Sequence, residues 1–118
     1  MSQDFHFLLL PGFSALGFIS ALEPLRVANR FRPGLYGWRV LSVDGGAVLA
    51  SNGMSVNADG PLEPLGKGAT LLVVAGFEPL QSYGPALAHW LRKLDHDGVV
   101  LGGIDTGTCL LYTSDAAD

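Results

Sequence analysis

Three short, apolar runs constrain this chain most: residues 4–10 (DFHFLLL), 70–74 (TLLVV) and 99–101 (VVL). None is long enough to span a bilayer, and each gives way to a turn signal, at Pro11-Gly12, Ala75-Gly76 and Gly102-Gly103. They read as buried strands. Segments of helical period separate them. Ser14 can cap a helix in which Leu16, Phe18, Ile19, Leu22 and Leu25 recur as far as residue 29. Pro24 is expected to kink or restart that helix beside Glu23, and Arg32-Pro33-Gly34 to end it. Leu87, Trp90, Leu91 and Leu94 follow the i, i+3, i+4, i+7 pattern with Arg92, Lys93 and Asp95 opposite, and Gly98 can close that helix in the left-handed region. Residues 38–43, 47–50 and 54–56, joined by turns at Asp44-Gly45-Gly46 and Asn52-Gly53, read as a small meander.

Apolar strands alternating with helices predict an α/β fold, a mostly parallel sheet with helices on both faces. Such sheets bind ligands outside the carboxyl ends of their strands. Three segments converge there: Pro11-Gly12-Phe13, Ala75-Gly76-Phe77, and Gly103-Ile104-Asp105-Thr106-Gly107. The last has the Gly-x-nucleophile-x-Gly spacing of a strand-to-helix elbow, with an aspartate in place of the usual serine or cysteine.

Composition removes several classes of function. With 118 residues, 48% hydrophobic and 15% charged, the chain is one well-buried domain or a piece of one. A net charge of −4 with seven scattered Lys and Arg leaves no electrostatic footprint for nucleic acid or an anionic membrane. The first residues have no basic leader, so a cytoplasmic location without membrane contact is expected. One cysteine allows no internal disulfide, and His6, His89 and His96 stand at no metal-ligand spacing, so neither metal nor cofactor is expected.

The chain resembles the DJ-1/PfpI superfamily, and within it the amidase-like amino-terminal domain of AraC-type transcriptional regulators of the GlxA family. The segments that carry this are LLLPGFSALGFISALEPLRVANR, YGWRVLSVDGGAVLASNGMSV, LLVVAGFEP and VVLGGIDTG, which together cover nearly all of residues 5–107. The resemblance implies a flavodoxin-like, class I glutamine amidotransferase-like sandwich, usually dimeric, followed in the regulators by a carboxyl-terminal helix-turn-helix domain. DNA binding would then belong to that further domain. Catalytic members place a cysteine at the elbow, where this chain has Asp105, and the isonitrile hydratase-like members carry an acid in the first helix at a position matching Gly17. Both departures point to a ligand sensor rather than an enzyme; the competing reading is a stand-alone hydrolase or hydratase using Asp105.

The last ten residues, CLLYTSDAAD, match the in-frame translation of a transposase sequencing adapter. On that reading residues 1–108 are a partial sensor domain, residues 109–118 are an artefact, the helical pattern should dissolve after the elbow, and Cys109 has no role.

Asp105 admits three readings: a helix N-cap, a ligand-binding carboxylate, or a nucleophile that would still need a base such as histidine. Thr106 could bond a ligand or the helix backbone. Glu23 could line the same crevice, or face solvent and pair with Arg26. Phe13 and Phe77, each at a strand-end turn beside Gly12 and Gly76, could lie against a quaternary ammonium. One or two carboxylates in a poorly solvated crevice favour a cation. The expected ligand is therefore a small cationic or zwitterionic nitrogen metabolite. The resemblance points the same way, since regulators of this kind with aspartate at the elbow are associated with arginine-like and betaine- or carnitine-like metabolites.

Overall fold

Alternation along the first strand decides the architecture. In β1 (Gln3–Leu9), Phe7 and Leu9 point to one apolar cluster, while Leu8, with Leu10 just beyond the strand, points to another. Both sets are buried, so the strand is covered on both faces, as parallel sheets require. The computed structural model describes residues 3–77 and 83–113, with side chains through residue 111. Its main sheet has four parallel strands in the order β2-β1-β5-β6, where β2 is Tyr36–Leu41, β5 Thr70–Val74 and β6 Val100–Ile104.

Helix α1 (Ala15–Phe31) covers one face with Phe18, Leu22 and Leu25, aided by the antiparallel hairpin β3 (Val48–Leu49) and β4 (Ser55–Val56). Helix α2 (Pro85–His96) covers the other with Leu87, Leu91 and Leu94, the face its periodicity predicts. Ser14 caps α1 as expected, its Oγ accepting from the Gly17 N–H at 3.0 Å. Gly98 sits at φ +84° between α2 and β6.

Several expectations are corrected. Pro24 does not break α1, which runs as one helix of 17 residues. Both Pro24 and Ser20, whose carbonyl loses its donor, lie on the exposed side, where water can satisfy that group. The meander does not form: β2 joins the parallel sheet beside β1, and only β3 and β4 pair as a hairpin. Strand β6 runs on through Gly102-Gly103 to Ile104. Beyond the elbow the helical pattern persists, for α3 (Gly107–Thr113) buries Leu110 and Leu111 in the cluster under α2. Residues 114–118 lie outside the described residues, as do Glu78 and Pro79 of the LLVVAGFEP segment.

Candidate functional site

The sheet order sets the place to look. From β1 the chain passes to β2 on one side and then returns to β5 on the other, so the topological switch point lies between the carboxyl ends of β1 and β5. A crevice of about 190 Å³ opens there, lined by Ser14, Ser51, Gly76, Phe77 and Asp105.

Backbone contacts build its walls. The Ser14 N–H donates to the Ala75 carbonyl at 3.2 Å, tying the start of α1 to the end of β5. Ser51 reaches the crevice because its N–H donates to the Phe13 carbonyl at 2.9 Å and Phe13 bridges Ala50, which docks the hairpin on the first turn. Gly76 packs directly on the Gly12 carbonyl, where any Cβ would collide. A Cβ at Gly107 would likewise strike the Val73 carbonyl, so the elbow sits hard against β5.

Asp105 stands at the tip of β6 with φ 58°, the one non-glycine residue in the left-handed region among those described. That conformation costs roughly 1–3 kcal/mol and gathers at functional sites. It also disposes of the capping reading. An N-cap has extended backbone and directly precedes its helix, whereas α3 begins at Gly107, leaving Thr106 in the capping position. No described group donates to the Asp105 carboxylate, which is exposed at the crevice mouth. The Thr106 hydroxyl turns away from the helix backbone and donates to the Gly76 carbonyl, clasping the elbow to the β5 turn.

Of the anticipated residues, Asp105, Gly76 and Phe77 meet at the crevice, with Thr106 bonded behind them. The others go elsewhere. Phe13 is fully buried, its ring edge-on to Phe18 at 6.1 Å in the cluster under α1, so it cannot meet a ligand in the crevice. Gly12 supplies backbone only, turning at φ +80° beneath Gly76. Glu23 is the clearest correction. It lies six residues, about 9 Å of helix rise, beyond Gly17, and its carboxylate accepts from Arg26 at 2.6 Å on the surface of α1. That hydrogen bond from the guanidinium holds the Glu23 carboxyl below its usual range. The position facing the elbow is Gly17, whose Cβ would meet Ile104 at 3.0 Å, and it brings no acid.

Phe77 is 97% exposed, an aromatic face at the crevice edge with nothing stacked on it among the described residues. Ser14 and Ser51 were missed. Ser14 reads as a cap alone, and Ser51 arrives through a bridge between segments far apart in sequence, for which local pattern holds no signal. The set can accept hydrogen bonds and bind a cation, and among the described residues no histidine lines it.

Known proteins share this sequence and fold. The HTH-type transcriptional regulator CdhR of Pseudomonas aeruginosa is 70% identical over 118 residues, all of this chain and 35% of that protein. The HTH-type transcriptional regulator GlxA of Rhizobium meliloti is 38% identical over 120 residues, 98% of this chain and 36% of that protein. The chain thus spans about a third of the length of these curated relatives. Among solved structures, an AraC family transcriptional regulator from Pseudomonas putida superposes with a TM-score of 0.75 at 30% identity, covering 86% of this chain and 55% of that one. A ThiJ/PfpI family protein from Pseudomonas syringae shares the fold, with a TM-score of 0.78 at 8% identity over 98% of this chain and 47% of that one. No protein-family model matches the chain. Among the described residues no helix is long and apolar enough to cross a membrane.

Proposed function

Because this chain belongs with the HTH-type transcriptional regulators whose amino-terminal part has the DJ-1/ThiJ/PfpI fold, we propose that it is the ligand-sensing portion of an AraC-type regulator. In this reading the domain is non-catalytic, acts as a cytoplasmic homodimer, and reaches DNA through a helix-turn-helix domain encoded downstream. Residues 109–118 are adapter-derived, a proposal supported by the ten-residue match to the adapter's translation, and residues 1–108 are the sensor portion.

The observation that carries the sensor reading is Asp105: a strained carboxylate without a described partner, at the mouth of a crevice with an exposed aromatic ring at its edge. A volume of about 190 Å³ holds roughly six waters, which suits a small metabolite rather than a nucleotide. Its occupant is a cationic or zwitterionic nitrogen compound. An amine or guanidinium would donate to Asp105, or a quaternary ammonium would rest on Phe77, while the Ser14 and Ser51 hydroxyls meet the polar end.

The test begins by re-amplifying the locus. Recovery of a continuation that replaces residues 109–118 and runs on into two helix-turn-helix units is expected; finding those ten codons in the gene sinks the adapter proposal. Calorimetry on the full-length product then compares arginine, glycine betaine and carnitine with purely anionic acids. Binding of at least one cationic or zwitterionic compound, weakened tenfold or more by Asp105→Asn, is expected. Binding of anions alone, or cation binding indifferent to the substitution, overturns the ligand assignment. Turnover of an amide, isonitrile or α-oxoaldehyde that vanishes in Asp105→Asn would establish an enzyme instead.

A further inference from the structure

Between β5 and β6 the backbone ladder weakens just where the crevice begins. The pairing runs to Val74 and Ile104, and the bond beyond that pair, from the Ala75 N–H to the Ile104 carbonyl, is stretched to 3.4 Å. From there the two segments turn apart, one into Gly76-Phe77 and the other into Asp105-Thr106. They carry the aromatic ring and the carboxylate of the crevice. Among the described residues it is the Thr106 hydroxyl, donating to the Gly76 carbonyl, that joins the two turns again.

The place of that bond gives it leverage. The Gly76 carbonyl belongs to the rigid peptide plane that ends at the Phe77 Cα, so a hydrogen bond there fixes the root of the Phe77 side chain. Gly76 is held on its other side by close contact with the Gly12 carbonyl. The ring itself is almost wholly exposed, with nothing described stacked on it, so its own packing does not hold it. Thr106 is joined covalently to Asp105 and, through its hydroxyl, to the plane that carries Phe77. One side chain therefore sets the spacing between a carboxylate and a ring, two groups that attract the same positive charge. A hydroxyl in the capping position ordinarily serves its helix as an acceptor. Here it donates, to a turn 30 residues earlier in the chain. Both partners lie within residues 1–108, ahead of the adapter-like tail.

We propose that Thr106 is a positioning residue of the crevice: it touches no ligand, and its hydroxyl holds the Phe77 ring at the distance from the Asp105 carboxylate at which one cationic group meets both. The proposal rests on the ligand-sensing reading above and adds the contact that fixes the geometry of that site. A ring held in place beforehand need not be ordered during binding, so the clasp acts on affinity.

Calorimetry on the full-length protein with arginine, glycine betaine and carnitine tests it. Thr106→Val keeps the branched shape and loses the donor. The Kd of whichever compound binds the wild type should then rise at least about fivefold, the worth of one neutral hydrogen bond. Thr106→Ser keeps the hydroxyl and should stay within about twofold of the wild type. Thr106→Ala removes the same donor with less bulk and serves in place of a valine variant that does not fold. The deciding measurement is a double-mutant cycle with Phe77→Ala. If Thr106 acts by placing the ring, its loss matters little once the ring is gone, and Thr106→Val should change the Kd of the Phe77→Ala protein by less than about twofold. A loss as large in that background as in the wild type would make Thr106 a general support of the fold and overturn the proposal. So would a Phe77→Ala protein that binds as the wild type does, or a serine variant as weak as the valine one. A wild type that binds none of the three compounds would instead remove the ligand assignment itself, and this role of Thr106 with it.

Discussion

At the carboxyl ends of the strands backbone presses on backbone, whereas at the amino ends long side chains bridge open space. The crevice beside Asp105 holds about 190 Å³, and its glycines touch carbonyl oxygens so closely that no Cβ fits. The opposite end has a wider opening of about 690 Å³, lined by Gln3, Asp4, His6 and residues 63–69. There Arg39 donates to the Glu63 carboxylate, and the Trp90 indole N–H donates to the Glu63 carbonyl at 3.0 Å. The larger cavity has its glutamate already paired, while the buried Nδ1 of His6 in its wall has no partner among the described residues. The smaller one keeps a strained carboxylate that no described residue satisfies. Size ranks the two ends one way and backbone strain the other, and for a site that must recognise something, the residue held in a costly conformation is the better guide.

The sharpest test of this contrast is a methyl group added at each end. Gly107→Ala puts a Cβ into the Val73 carbonyl, which must move with its strand; a loss of about 3 kcal/mol or more is expected, and outright failure to fold is its limit. Gly66→Ala, at the wide end, meets nothing within 4 Å and lies at no positive φ, so it should be neutral or stabilise by up to about 1 kcal/mol. Urea unfolding of the two variants measures the difference. Equal effects would mean that the close contact at the elbow is not a structural constraint.

A smaller effect of opposite sign is expected at Asp105. Replacing it with glycine relieves the left-handed backbone but loosens the unfolded chain, so the net gain should be about 0.5–1 kcal/mol. Asp105→Asn, which tolerates the same conformation, should stay within about 0.5 kcal/mol of wild type. A variant that is more stable yet has lost its ligand would show that strain is retained for recognition. Destabilisation by Asp105→Gly would show instead that the carboxylate supports the fold.

Most of the frame was legible because it is local. Apolar runs bounded by turns gave β1 and β5; the stripe Leu87, Leu91 and Leu94 gave α2; Ser14 and Gly98 gave a start and a stop. What failed was non-local. Whether residues 36–41 pair with the next hairpin or return to lie beside β1 depends on partners that local pattern does not specify, and the second outcome holds. Pro24 was misread because its cost depends on which side of the helix faces water. At the site, the elbow and Gly76-Phe77 could be placed by strand ends alone. Phe13 could not, since the turn at Gly12 and a bridge to the distant Ala50 decide between crevice and core. Nor could Glu23, where a carboxylate three residues from an arginine finds its partner on its own helix.

The smallest expected effect belongs to the wide end and depends on pH. The hydrogen bond from Arg39, aided by the charges of Arg39 and His6, outweighs partial burial and holds the Glu63 carboxyl below its ordinary value of 4.5. A depressed carboxyl binds its proton more readily in the unfolded chain than in the folded one. Its contribution is therefore fully present above 4.5 and is lost as pH falls through the lowered folded value. Glu63→Gln should flatten the acid limb of the stability curve without moving the plateau by more than a surface pair allows, and raised salt should shrink the difference between the two proteins. Unfolding midpoints from pH 7 down to pH 3 supply the measurement. If Glu63→Gln left the acid limb as steep as in the wild type, the Arg39 guanidinium would not be holding that carboxylate, and the wide end would lose the pair that distinguishes it from the crevice.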